Sequence, residues 1–274
     1  MTGLSVVVAC RDRAGLLAGC VSAVLAELRP GDELIVVDAG SRDDEVRAVA
    51  ARAGATVVRS EAFGATAARN LGWRRATHDG IAFTDDDCRP APGWRDAVLT
   101  ALSQLDLVCG RVLPEGTGHL SVLTDEADAD YSDATPVWDL GHGAGLAARR
   151  SARELVGGWD DGLGPGTPWP GAEDKDLLLR VLEAGLRAGY RAAPTVRHVQ
   201  WRDRRGVLRA EHGYGRGVAG LARTGRGPST RAWLRMALVA TGRDLRHGYL
   251  TGTLAGLSRC AGIVRGALAK EQRS

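Results

Sequence analysis

No stretch of this sequence holds the roughly 18 consecutive apolar residues of a membrane span, so a helical transmembrane segment is not expected. Cysteine is scarce: Cys10, Cys20, Cys88, Cys109 and Cys260 are odd in number, scattered and never spaced Cys-x-x-Cys. That pattern excludes a disulfide framework and a cysteine zinc site, and it points to a reducing, cytoplasmic setting. A basic n-region is missing too: Met1-Thr2-Gly3-Leu4-Ser5 enters a strand directly, and no signal peptide is expected. Histidines other than His198 show no metal-ligand spacing. What is present is an ordinary globular composition, 44% hydrophobic and 25% charged, in 274 residues. That length can bury a sizeable core, as one large domain or a domain with an appendage.

The net charge of +3 hides an asymmetry. Residues 1–201 hold 21 Lys/Arg against 29 Asp/Glu, whereas residues 202–274 hold 15 against 4. Such a split suggests that the tail meets something anionic, with a solvated basic face as the alternative.

Leu4 to Ala9 is β-branched and continuous, as a buried parallel strand should be. A helix follows over about Ala14 to Leu28, ended by Pro30-Gly31. Glu33 to Val37 is a second strand closing on Asp38-Ala39-Gly40-Ser41, with Ser41 expected to cap the next helix. Thr56 to Arg59 is a third strand, and roughly Ala65 to Ala76 a helix. Strand and helix alternating at this spacing predict right-handed βαβ units and a parallel sheet. Further on, helices are expected over Trp94 to Gln104 and from Glu173 to Gly185, and strands at Leu105 to Val112, Ala144 to Ala148, Ala188 to Ala193 and Val196 to Val199. Gly157 to Gly171 reads as a long Gly/Pro loop carrying Trp159 and Trp169, the kind of segment that often covers or builds a site.

The chain is organised around Ile81-Ala82-Phe83-Thr84-Asp85-Asp86-Asp87-Cys88, an apolar strand running into three carboxylates. Three unpaired carboxylates repel one another, and a hard divalent cation, Mn²⁺ or Mg²⁺, is a suitable counter-charge that usually shares its shell with substrate phosphates. Asp12, Asp38 and Asp85 to Asp87 all follow expected strands, so they should converge on one rim, where such sheets bind ligands.

These residues resemble family 2 glycosyltransferases, the large inverting group with the GT-A fold. The resemblance rests on Ser5-Val6-Val7-Val8 with Arg13, Leu34 to Ser41, Ala68-Arg69-Asn70-Leu71-Gly72, Phe83 to Asp87, Gly171 to Leu177 with Arg180, Val196-Arg197-His198 and Tyr214-Gly215-Arg216-Gly217. It covers about residues 4 to 220 and implies a GT-A-like α/β fold, a mostly parallel sheet flanked by helices. It further implies an enzyme that moves a sugar from a nucleotide-diphosphate donor to an acceptor hydroxyl with inversion, using Mn²⁺ or Mg²⁺. By the same resemblance Asp38 and Arg69 hold the nucleotide base beside Ala9, Asp85 touches the ribose, and Asp87 and His198 bind metal. Asp174 is the general base. Arg11 and Asp86 join the donor contacts, and Trp169 and Glu173 line the acceptor side.

The chain departs from the family where Ala9-Cys10-Arg11-Asp12 replaces the usual Pro-Thr-Tyr/His-Asn, and where Ala39 replaces a second aspartate. Each residue also has a plainer reading: Asp38 as a turn former, Glu173 and Asp174 as helix-start acids, His198 as a structural histidine. A nucleotidyltransferase would share the sheet and the carboxylates but normally carries a Gly-rich phosphate loop with Lys or Arg, of which Arg11-Asp12-Arg13-Ala14-Gly15 is a poor version. A non-catalytic sugar-nucleotide-binding protein would tolerate loss of Asp174. Gly215-x-Gly217-x-x-Gly220 fits a dinucleotide fingerprint only literally, because no strand precedes it. The expected division is a catalytic domain over residues 1–205 and a basic helical extension over 206–274. No nucleic-acid partner is expected. The extension has Trp233, Met236, Ala237, Val239, Leu250, Leu254, Leu257, Val264 and Leu268 at helical spacing, which suits either core packing or peripheral contact with an anionic membrane at its inner face.

Overall fold

The computed structural model describes residues 3–62, 64–117, 122–141 and 143–269. Met1 and Thr2, residues 118–121 and residues 270–274 of the basic tail lie outside the described residues. Strands β1 (Leu4–Cys10), β2 (Glu33–Asp38), β3 (Thr56–Arg59) and β4 (Gly80–Asp85) alternate with helices α1 (Ala14–Glu27), α2 (Glu45–Arg52) and α3 (Ala65–Arg75). The four strands are parallel, in the order β3-β2-β1-β4. The chain works outward to β3, then α3 carries it back across so that β4 lies on the other side of β1. Strand order therefore switches between β1 and β4, with Cys10 level with Asp38 and Ala9 level with Asp85. A crevice beyond the carboxyl ends is the consequence of such a switch.

Past β4 the sheet becomes mixed. It continues through β5 (Cys88–Pro90), β6 (Leu107–Glu115), β7 (Ala129–Asp130), β8 (Leu146–Arg149) and β9 (Ala188–Val199), with α4 (Trp94–Gln104), α5 (Arg150–Val156) and α6 (Glu173–Glu183) between them. The order runs on as β4-β8-β6-β9-β5, and β7 also pairs with β9. Parallel pairing is continuous through β4 and recurs where β9 lies beside β6, while the remaining pairs are antiparallel. Among the described residues no crossover helix joins β6 to β8, and β8 runs antiparallel to both β6 and β4. The two strands expected at 188–193 and 196–199 are one, β9. It absorbs Pro194 at an irregularity where its register against β6 shifts between Gly110 and Val112.

The β-branched runs are buried as read, Val6, Val8, Ile35, Val36 and Val37 all at 0% exposure. Helix α3 lies unusually close to the sheet, because a Cβ on Gly72 would collide with Val7 and crowd Val37. Gly72→Ala is expected to overpack this layer and lower stability by about 1–3 kcal/mol, read as a lower urea midpoint at unchanged slope. Beneath the carboxyl ends, Phe83 meets the edges or faces of Trp73 and Trp159 at centroid distances of 5.1 and 5.7 Å.

One local expectation fails. Ser41 does not cap α2, which begins at Glu45 behind Asp44. Its amide instead donates to Asp38 Oδ1 at 2.7 Å and its hydroxyl accepts from the Asp12 amide at 3.0 Å. The carboxylate three residues earlier won the competition for the turn.

Contacts divide the chain into two units, Met1–Trp159 with Leu177–Gln200, and Asp160–Asp176 with Trp201–Ser274. The helical unit so defined takes in the loop residues before α6 as well as the tail. It holds α7 (Arg204–Arg223), α8 (Thr230–Arg246) and α9 (Leu250–Leu268). Asp203 caps α7 by accepting from the Gly206 amide, and Ser229 caps α8 by accepting from that of Ala232. Gly215, Gly217 and Gly220 lie inside α7, with no phosphate-loop geometry, and each marks a close approach. A Cβ on Gly215 would strike the Arg259 carbonyl of α9, and one on Gly262 of α9 would strike the His212 carbonyl. The glycines that weaken these helices as isolated segments are what lets them touch. Among the described residues no helix is long and apolar enough to cross a membrane.

Candidate active site

At the carboxyl ends of β1 and β2 two turns are tied together. Asp12, at φ 53°, takes a conformation that few residues other than Gly, Asn and Asp adopt readily. Its amide reaches Ser41 and its Oδ1 accepts from the Arg42 amide at 2.8 Å. Ala9 is partly exposed at the strand end, and Arg11 lies 3.6 Å from Asp12. Asp38 is fully buried, with Arg59 at 3.3 Å and Arg47 at 3.6 Å besides the Ser41 amide. Its carboxylate is therefore a turn former and an anchor for two arginines on the rim of the crevice.

The acidic triplet does not lack counter-charge. Arg69 Nη2 lies 2.7 Å from Asp85, Arg13 Nη2 lies 2.7 Å from Asp86, and Arg13 Nη1 lies 3.3 Å from Asp87. The premise that repulsion among unpaired carboxylates requires a metal is thus corrected: two arginines supply the charge. Burial opposes ionisation of Asp85, yet the Arg69 guanidinium holds it below the ordinary carboxylate range. Burial pushes Asp86 up to about 7 despite Arg13. Asp86 is 0% exposed and its two oxygens lack an aligned hydrogen bond among the described residues. It anchors Arg13 rather than facing the crevice.

Asp87 and His198 come together. His198 Nε2 is 3.4 Å from Asp87 Oδ1, and the strand carrying it is held by the Val199 amide donating to the Asp87 carbonyl at 2.8 Å. Cys88 pairs directly across from His198 in the β5–β9 ladder, which puts both side chains on one face. Ligand atoms of Asp87, Cys88 and His198 all lie within 4.8 Å of one another. Gln200 sits 2.7 Å from His198 Nδ1 and orients the ring from behind. A carboxylate and an imidazole this close fit a divalent cation such as Mn²⁺, which takes carboxylate oxygens together with an imidazole.

The segment Ala68 to Gly72 builds this site from below. Asn70 makes a closed pair with Trp159, its Nδ2 donating to the Trp159 carbonyl and its Oδ1 accepting from the Trp159 amide, both at 2.9 Å. Arg69 then lies with its guanidinium 4.9 Å from the Trp159 ring centroid while it pairs with Asp85. Arg180 of α6 donates to the Val156 and Gly158 carbonyls at 2.5 and 2.6 Å, fixing the chain on either side of Gly157.

Trp169, Glu173 and Asp174 belong to the helical unit. Trp169 packs on Gly220 of α7, under the Arg223 guanidinium at 5.0 Å from its ring centroid. Ala172 is held at φ 64°, an uncommon conformation for a residue with a Cβ, immediately before Glu173 opens α6. Glu173 is buried, Asp174 is half-buried, and Asp174 Oδ1 accepts from the Lys175 amide at 2.8 Å. Asp176 is fully buried and paired with Arg226 at 3.0 Å, a structural role.

Sequence reasoning missed Arg13 as the partner of Asp86 and Asp87, Arg47 and Arg59 on Asp38, Cys88 beside the metal candidates, and the Asn70–Trp159 pair. Arg13 at the start of α1, Arg47 in α2 and Arg59 at the end of β3 share no spacing signal. The Asn70 pairing spans 89 residues of chain, beyond any local pattern.

The sheet order, the crevice at its switch point and the acidic strand end together define the GT-A fold. Solved structures with this fold include the mannosyltransferase PcManGT from Pyrobaculum calidifontis in complex with GDP-Man and Mn²⁺, at a TM-score of 0.69 and 18% identity over 98% of this chain and 88% of that one. TarS of S. aureus gives a TM-score of 0.58 at 14% identity, over 77% of this chain and 38% of that one. Residues 5–121 match the family described as Glycosyl transferase family 2, so this part of the chain is a family 2 glycosyltransferase domain. The pre-mycofactocin glycosyltransferase of Mycobacterium tuberculosis is 32% identical over 215 residues, 73% of this chain. That stretch is 43% of the curated relative, so the chain spans less than half of its length.

Proposed function

We propose that this chain transfers a sugar from a nucleotide-diphosphate donor to an acceptor hydroxyl, with inversion at the anomeric carbon. The observation that carries the reading is the acidic strand end at the switch point, where Asp85 and Asp87 are held by Arg69, Arg13 and His198. The GDP-Man and Mn²⁺ bound by a structural neighbour support the same assignment. The donor base lies beside Ala9 against the rim that Asp38 and its arginines build, and Asp85 with Arg69 meets the ribose. Asp87 and His198 would hold a divalent cation, which would supply Lewis-acid stabilisation of the diphosphate. Asp174 takes the proton of the acceptor hydroxyl as its oxygen bonds to the anomeric carbon. The bond from that carbon to the diphosphate oxygen breaks, and the nucleoside diphosphate departs with the electron pair. Trp169 and Glu173 shape the acceptor side.

A thermal-shift screen of nucleotide sugars with and without Mn²⁺ tests this directly, because a ligand at 100 times its Kd stabilises the native state by about 2.7 kcal/mol. One donor class should raise Tm, and more so with metal. Asp87→Ala should keep its fold and abolish the metal-dependent increment. Asp86→Ala should spare more of it, since adjacent side chains at a strand end point apart. Equal donor affinity with and without metal in the wild type would remove Asp87 and His198 from their assigned role.

A further inference from the structure

Helices α8 and α9 bury one side and leave another without cover. Trp233, Ala237 and Thr241 of α8 and Cys260, Gly262, Ile263 and Gly266 of α9 are buried. Of the twelve exposed large hydrophobic residues among those described, eight lie between Leu238 and Leu268. On α9 they recur at a helical interval, Leu250, Leu257, Val264 and Leu268, with Leu250 at 66% and Leu268 at 78% exposure. On α8 Leu234, Leu238 and Val239 form a shallow trough with Arg231, Arg235 and Arg246 along it. Leu245 and Tyr249 are exposed at the turn that joins the two helices.

Apolar residues this concentrated mark an interaction surface. Charge selects what covers it. Arg231, Arg235, Arg243, Arg246 and Arg265 are exposed on the two helices, and their one carboxylate among the described residues, Asp244, is half-buried. A second copy would bring two arginine-rimmed surfaces face to face. An anionic bilayer offers headgroup charge to the arginines and an acyl boundary to the leucines, and an amphipathic helix lying in the interface uses both. We infer that the α8–α9 hairpin docks this protein on an anionic membrane surface. Membrane attachment is then peripheral, apolar side chains entering the headgroup boundary and arginines pairing with lipid phosphate and carboxylate groups.

The test is co-sedimentation of the full chain with phosphatidylcholine vesicles, with and without phosphatidylglycerol, at low and high salt. Binding is expected to the anionic vesicles at low salt and to fall at least about tenfold at high salt, where headgroup attraction is screened. Arg235→Gln with Arg246→Gln should weaken it by roughly 10–30-fold. Leu257→Glu with Val264→Glu should abolish it, and exposure of both pairs predicts an unchanged Tm, which the same samples check. Absence of binding to anionic vesicles at low salt overturns the inference, as does equal binding to neutral ones or undiminished binding by the glutamate variant. So does a concentration-dependent dimer in sedimentation velocity that the glutamate variant dissolves, since the second copy would then be the occupant. Vesicle binding requires no donor or acceptor, so its failure leaves the transferase reading standing.

Discussion

Asp174→Asn is expected to bind the donor within a few-fold of the wild type while kcat for transfer falls by on the order of 10² or more. The substitution keeps the size of the side chain and removes its basicity. A sugar hydroxyl is a weak nucleophile until its proton is taken, and a positioned general base typically contributes about 10²–10⁴-fold in rate. The structure narrows the choice of base in this region. Asp176 is fully buried against Arg226 and Glu173 is buried, whereas Asp174 is half-buried in the first turn of α6, where the helix N-terminus suits a carboxylate. The backbone leading into that turn is held in an uncommon conformation at Ala172, φ 64°. Single-turnover transfer together with donor titration separates the two effects. Near-wild-type turnover by Asp174→Asn would dismiss it as the base.

The second large effect is on stability and lies far from any substrate. Arg95 grips Asp32 with two parallel hydrogen bonds, Nε to Oδ2 at 2.6 Å and Nη2 to Oδ1 at 2.9 Å, and both side chains are nearly inaccessible. Asp32 also accepts from the Leu4 and Arg29 amides, so it pins the start of β1 to the turn before β2 and to α4. Arg95→Ala strands a buried carboxylate and should cost about 3–5 kcal/mol in urea unfolding. The pH dependence has a definite sign. Burial works against the charge of Asp32, but Arg95 and the amides hold its carboxyl below the ordinary range. Its contribution is therefore complete above the unfolded value of about 4 and is lost as pH falls through the lower folded value. The gap between wild type and Arg95→Ala should narrow in acid and stay constant from neutral pH upward. A gap that widens in acid would contradict this account.

The parallel half of the fold was legible because its signals are local. Val6-Val7-Val8 and Leu34 to Val37 announce buried strands, and the carboxylates after them announce a rim. The second half was less so. β8 is antiparallel and β9 continuous through Pro194 for reasons of connection and register that no local run expresses. At the site, motif order located the acidic strand end and His198, but not what each charge touches. Arg13 could be seen only as a family match, and its two ion pairs depend on α1 beginning beside β4. Asp38 illustrates the limit from the other side. Its turn-forming reading and its place at the crevice are both present, since the carboxylate that organises Ser41 also anchors Arg59.

The glycines of α7 bear on how this chain can change. Gly217 meets the backbone of Gly171, main chain resting on main chain, while Gly213 meets the Pro170 ring and Gly220 the Trp169 side chain, so close approach to α7 sets the path of the loop ahead of α6. The Gly217–Gly171 contact is indifferent to what the neighbouring side chains are. Side chains of the segment other than Trp169 and Pro170 can be replaced while Gly171 keeps its place against α7 and Asp174 its station at the head of α6. A loop held this way is a fixed rail for variable cargo: under the roles proposed above, acceptor preference can drift across descendants of this sequence without the proposed base having to be placed anew.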